Sequence, residues 1–242
     1  MACVALLAGC ETSRRSPPEK RADERPNVLI IVTDDQRAAG TLGVMPQTRR
    51  WFARAGTTFK NAYVTTPLCC PSRASIFTGR YAHNHHVLGN RASSRLDQST
   101  TLQHALQDAG YFTAIAGKYL NSWPVTKDPP DFDRWAVFPK GYHDLEVNLD
   151  GSVWPLAAYS TDIVKRASVR FLKEAEQQDD RPWYLYVAPT APHPPFEPEA
   201  RYRRAPVPPP RLDPAMREQD ATDKPRYLAI RKVGKDVPPR LH

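Results

Sequence analysis

In Pro67-Leu-Cys-Cys-Pro-Ser-Arg-Ala-Ser-Ile-Phe-Thr-Gly79, two cysteines precede a proline, a serine and an arginine, and an apolar run then ends in Thr-Gly. Proline suits the first helical position, so Pro71 predicts a helix over 71–78. That places Cys69 just before a helix N-terminus, where unpaired N–H groups favour an anion. Arg73, one turn inside, adds a permanent charge whose planar fork matches an oxyanion. The same residues also admit a plainer reading, a buried cysteine pair packing a helix start.

Three further segments carry chemistry. Asn27-Val-Leu-Ile-Ile-Val-Thr33 is an apolar, β-branched run that reads as a fully buried parallel strand, and Asp34-Asp35 follows at its carboxyl end. Ligands bind at that end of open α/β sheets, and adjacent carboxylates repel unless a cation compensates them; their hard oxygens suit calcium or magnesium. An Asx-type turn is the alternative for the pair. Tyr111–Ala116 reads as a second buried strand, with Lys118 just past its end. Trp183–Ala188 reads as another, followed by Pro189-Thr-Ala-Pro-His193-Pro-Pro, a loop whose prolines lower the entropy lost in holding His193. His83, His85 and His86 lack the soft partners of a zinc site and read as pocket lining or surface.

Taken together, these segments resemble the sulfatase family, of the alkaline-phosphatase superfamily. The cysteine stretch resembles its signature, in which the first cysteine of Cys-x-Pro-Ser-Arg is oxidised to formylglycine (3-oxoalanine), whose hydrate attacks sulfur. The resemblance makes Cys69 the nucleophile and Cys70 the variable position. It implies Asp34, Asp35 and the modified Cys69 as ligands of Ca2+, with Mg2+ as the alternative ion. It also implies Arg73, Lys118 and His193 as catalytic residues. Lys118 would contact the sulfate and the hydrate; His193 would contact the sulfate and assist the leaving group. Leu120 stands where many members carry histidine. With Asn121 and His83-Asn-His-His-Val87, it resembles the N-acetylglucosamine-6-sulfatase branch. The implied reaction is hydrolysis of a sulfate ester on a sugar, N-acetylglucosamine-6-sulfate or a glycosaminoglycan unit. The implied partner is a formylglycine-generating or anaerobic maturation enzyme.

Strands at 28–33, 58–64, 111–116 and 183–188 alternate with helical patterns near 47–55, 71–78, 101–109 and 158–177. That alternation predicts an α/β fold, a mostly parallel sheet sandwiched by helices. In the last helix Ser160-Thr161-Asp162 offers a cap, and Ile163, Val164, Ala167, Phe171 and Leu172 recur at helical spacing. Residues 122–157 read as a Pro-, Asp- and Trp-rich excursion facing the substrate, with a small hairpin around Asp150-Gly151.

The chain has 242 residues, enough for one sizeable core, and a net charge of +8 that attracts anionic substrates. No phosphate-binding loop, zinc finger or RNA-binding signature accompanies that charge, so no nucleic-acid partner is expected. Leu7-Ala-Gly-Cys10 resembles a lipoprotein signal with Cys10 as the lipidated residue. Export to a bacterial cell envelope or beyond is therefore expected, with a lipid anchor at Cys10 as the sole membrane contact. The apolar stretch before Cys10 is short, so the true start is expected upstream. Residues 1–10 then form a signal remnant, 11–26 a polar tether, and 27–205 the N-terminal part of a catalytic domain. Residues 206–242 form a Pro-rich, charged, incomplete continuation, with one short element at 226–233. No asparagine follows Asn148. The Asp-Asn pair by which sulfatases complete the metal site is thus missing, and Asp213, Asp220 and Asp223 follow no buried strand. The expectation is a domain truncated at its C-terminus, with an inactive remnant or a phosphatase or phosphodiesterase of the same superfamily as alternatives.

Overall fold

The computed structural model describes residues 24–38, 40–178, 180–206 and 222. The readings at Cys10, most of the 11–26 tether, the 226–233 element, and Asp213, Asp220 and Asp223 lie outside the described residues. Strand β1 spans Val28–Ile31. A short helix α1 (Pro46–Thr48) runs into a π-type turn at Arg49–Ala53, followed by α2 (Cys69–Thr78), α3 (Ala82–His85) and α4 (Leu102–Asp108). Strands β2 (Phe112–Gly117), β3 (Arg134–Val137), β4 (Leu145–Leu149) and β5 (Ser152–Leu156) follow. Helix α5 (Ser160–Gln177) and β6 (Trp183–Ala188) complete the sheet.

The six strands lie in the order β1-β6-β2-β3-β4-β5. The β1–β6, β6–β2 and β2–β3 pairs are parallel; β3–β4 and β4–β5 are antiparallel. Side chains of β2 and β6 alternate across the sheet and feed two cores. On one face Ile115, Tyr184 and Tyr186 pack with Phe77 of α2, Val87 and Tyr119. On the other, Ala114, Ala116 and Leu185 meet Ile163, Val164 and Phe171 of α5. Helices therefore cover both faces, as the strand–helix alternation requires.

Several expectations need correction. β1 is half-buried rather than fully buried: Val28 and Ile30 pack against the core, while Leu29 and Ile31 on the other face are exposed because no described element packs on that side of the strand. Residues 58–64 form no strand. Phe59, Tyr63 and Val64 are all exposed, and β-propensity without a partner ladder gives no strand. The 47–55 helix is only the short α1 and the π-type turn after it. The 122–157 excursion contains three strands, β3 to β5. Its hairpin does turn at Asp150 (φ 49°) and Gly151 (φ 89°), both left-handed as a tight two-residue turn demands. In α5, Ser160 is the first helical residue rather than a cap; Tyr159 precedes it, and no side chain caps that end.

Gly117 ends β2 with φ +106°. A Cβ there would lie 2.1 Å from the Ala188 carbonyl oxygen of β6. The next residue, Lys118, donates its backbone N–H to that same oxygen at 2.9 Å. Glycine is required at this close approach of two strand ends, and it turns Lys118 inward.

Candidate active site

The carboxyl ends of β1, β6 and β2 point to one side of the sheet, and the N-terminus of α2 meets them there. The chain leaving β1 places Asp34 beneath this junction, 4% exposed. Asp35 adopts φ 59°, a left-handed conformation uncommon outside glycine. That twist separates two consecutive carboxylates that would otherwise repel. Lys118 Nζ donates to Asp34 Oδ2 at 2.6 Å, and Arg73 lies 3.6 Å from Asp34 Oδ1. Asp35, half exposed, turns instead to His193, whose Nε2 is 3.6 Å from Oδ2.

Burial alone would raise the Asp34 carboxyl. The Lys118 hydrogen bond and the charges of Arg73 and Lys118 outweigh it and hold the group below the usual carboxylate range. Arg73 is 2% exposed and donates from Nη1 to the Lys118 carbonyl at 2.9 Å. The Arg73 guanidinium is thus tied to the Lys118 backbone, and both cations face Asp34. His193 Nδ1 donates to the Pro194 carbonyl at 2.6 Å, which leaves Nε2 as the working nitrogen. The Tyr142 hydroxyl donates to the His193 carbonyl and ties the loop to the chain before β4.

The helix starts two residues earlier than expected. α2 begins at Cys69, so Pro71 is its third residue and Leu68, extended at φ −132°, is the cap position. Asn90 Oδ1 accepts from the Cys70 N–H at 3.0 Å, satisfying a first-turn donor that no local side chain reaches. Cys70 is fully buried in the core, its Sγ 3.8 Å from the Asn121 carbonyl, and burial pushes its thiol up to about 11. Cys69 is partly exposed and faces a cleft of about 380 Å³ lined by Asp34, Asp35, Thr66, Ser72 and Arg73. Burial, followed by the opposing pull of Lys118 and push of Asp34, leaves its thiol above the ordinary value, and so protonated at neutral pH.

Asp34, Cys69 and His193 each bring a donor atom within 4.8 Å of the others. As a thiol, Cys69 makes this a mixed sulfur, nitrogen and oxygen set, unlike the oxygen-only set that calcium takes. Asp35 lies outside this group, and both Asp34 oxygens already face Lys118 and Arg73. The described residues thus fit a calcium site in part.

Of the residues expected from sequence, Asp34, Cys69, Arg73, Lys118 and His193 converge, with Asp35 at the rim. Leu120 is buried in the core. The histidine triplet divides: His83 and His86 are exposed, while His85 is buried. His85 Nδ1 accepts from the Val87 N–H at 3.1 Å, so Nε2–H donates to Ser75 Oγ of α2 at 3.0 Å. Burial lowers its pKa, and the ring is neutral. His85→Ala should cost about 1–3 kcal/mol in urea unfolding. A group whose folded pKa is lowered stabilises fully above its unfolded value, about 6.5 for histidine. The difference between wild type and variant should therefore be largest above that pH and shrink as pH falls. Asn90 and Tyr142 were not legible in sequence, since each reaches its partner across a long stretch of chain.

Three comparisons bear on this arrangement. The sulfatase family model matches residues 26–210. The chain is 36% identical over 217 residues to an extracellular sulfatase SULF-1 homolog of Drosophila melanogaster, covering 80% of this chain and 20% of that protein. It is 31% identical over 204 residues to human N-acetylglucosamine-6-sulfatase, covering 75% and 37%. The solved structure of BT4656 in complex with its substrate D-glucosamine-2-N,6-O-disulfate superposes with a TM-score of 0.63 at 28% identity. That match covers 74% of this chain and 37% of that one. The chain thus spans well under half the length of each. With the family model covering most of its length and these residues gathered at one sheet end, the chain belongs to the sulfatase family.

Proposed function

We propose that this polypeptide supplies the nucleophile side of a sulfuric ester hydrolase acting on a sulfated sugar, with a 6-sulfated glucosamine unit as the preferred class. The observation that carries this reading is the meeting of Asp34, Cys69, Arg73, Lys118 and His193 at one end of the sheet, the first three of them lining one cleft. A protonated Cys69 thiol is a poor nucleophile, whereas a hydrated formylglycine at that position would offer a hydroxyl for attack on sulfur. A divalent cation, calcium being the best match to carboxylate ligands, would be held by Asp34, Asp35 and the position-69 oxygen and would lower the pKa of that hydroxyl.

Arg73 and Lys118 present positive charge to a sulfate entering beside Cys69, and Asp34 holds both before substrate arrives. His193 Nε2, directed by the Nδ1 bond to Pro194, can pass a proton to the departing sugar oxygen. The named activities and the bound disulfated glucosamine of the relatives support the substrate class. Export fits the extracellular relative, and among the described residues no helix is long and apolar enough to cross a membrane.

Co-expression with a formylglycine-generating enzyme, then peptide mass spectrometry, should find the thiol-to-aldehyde change at Cys69. In a full-length enzyme carrying this sequence, sulfate release should follow from N-acetylglucosamine-6-sulfate and be weak on an aryl sulfate. Modification at Cys70, or release of phosphate but never sulfate, would overturn the reading.

A further inference from the structure

We propose that the outward face of α5 is a second binding surface, for the sulfated polysaccharide chain that carries the ester. It rests on the sulfated-sugar reading above for its choice of polymer. α5 buries Ile163, Val164, Ala167, Phe171 and Ala175 against the sheet. The opposite face presents Lys165, Arg166, Arg170 and Lys173, all exposed, along about 12 Å of helix axis. They line a groove of about 640 Å³ together with Val169, Glu174 and Gln177.

Charge is what makes this face specific. Among the described residues none of the four cations has an acidic partner, in contrast to Arg73, Arg134 and Lys118. Glu174, the one acidic residue lining the groove, is already engaged by Arg134, which also donates to Asp150 at 2.8 Å. The groove therefore keeps its full positive charge. Two cations lie on each of two adjacent rows of the helix surface, Lys165 and Lys173 flanking Val169, Arg166 beside Arg170. A flexible polymer bearing a sulfate on successive units can meet several of them at once. A single sulfated sugar cannot.

The helix is also connected to the catalytic end of the sheet. The Ser160 N–H donates to the Tyr142 carbonyl at 2.8 Å, and the Tyr142 hydroxyl holds the His193 loop. Tyr159, just before α5, donates from its hydroxyl to the Glu197 carbonyl at 2.8 Å. Lys165 and Arg166 thus lie one to two turns from a helix end that is bonded to the active-site loop. A chain held along α5 extends from that end.

The test is binding of the whole polypeptide to immobilised heparin, compared with the variant Lys165→Gln, Arg166→Gln, Arg170→Gln, Lys173→Gln. Affinity should fall on the order of tenfold to a hundredfold, and the dependence on salt should become shallower. Hyaluronan, which has carboxylates but no sulfates, should bind both forms weakly. Release of sulfate from the monosaccharide should be the same for both. Unchanged heparin affinity would overturn the proposal. So would a loss of equal size on phosphatidylglycerol vesicles, which would mark the face as a membrane surface. If wild type hydrolyses no sulfated sugar yet the variant loses heparin binding selectively, the catalytic reading fails and the binding surface stands.

Discussion

In a full-length enzyme carrying this sequence, Cys69→Ala should reduce sulfate release from N-acetylglucosamine-6-sulfate on the order of 10³-fold or more, measured on protein co-expressed with a maturation enzyme. Cys70→Ala, one residue away, should leave turnover within a few-fold. The contrast follows from where the two side chains point. Cys69 opens onto the cleft within 4.8 Å of donor atoms on Asp34 and His193. Cys70 is wholly enclosed beside Ala74 and Phe77, and its sulfur reaches only the Asn121 carbonyl. Losing that sulfur should lower stability by about 1 kcal/mol through packing alone. A variant at position 70 that is stable but inactive would contradict the assignment, and so would an active one at position 69.

Gly117→Ala should destabilise the fold by more than about 4 kcal/mol, read from urea midpoints. Two effects add. The φ of +106° is costly for any residue with a Cβ, and the new carbon would sit 2.1 Å from a backbone oxygen that cannot rotate away. Relief requires β2 and β6 to part at their carboxyl ends, which also displaces Lys118 from Asp34. Tyr111→Phe serves as the comparison. It removes, one residue before the start of the same strand, only a 3.2 Å hydroxyl bond to the Pro26 carbonyl, and it should cost about 1 kcal/mol. Equal losses in the two variants would show that Gly117 tolerates a side chain.

β2 and β6 were legible because their apolar runs are buried on both faces, which leaves a signal independent of register. α5 was legible from its apolar spacing. Of β3 to β5 only the turn at Asp150-Gly151 was legible, since the strands are short, carry residues such as Asn148 and Pro155, and are paired by contacts such as Trp135 Nε1 to Asn148 Oδ1 at 2.8 Å. The 58–64 segment failed for the opposite reason: its β-branched and aromatic residues met no neighbouring strand. At the site, the residues of the motifs were readable as types. The partition of Asp34 to Lys118 and of Asp35 to His193 was not, because it depends on the left-handed turn at Asp35 and on the loop after β6.

Among the described strands β1 pairs only with β6, so Val28 must find Tyr184 across nearly the whole described chain. Closing so long a loop is entropically slow, and no ladder holds β1 until it happens. During synthesis β2 to β5 can assemble while β1 waits without its partner strand. Asp34, carried at the end of β1, is therefore the last of the converging groups to reach its place. In refolding experiments the Asp34–Lys118 contact should mature with the slowest phase, after the β2–β3 core has gained protection from hydrogen exchange.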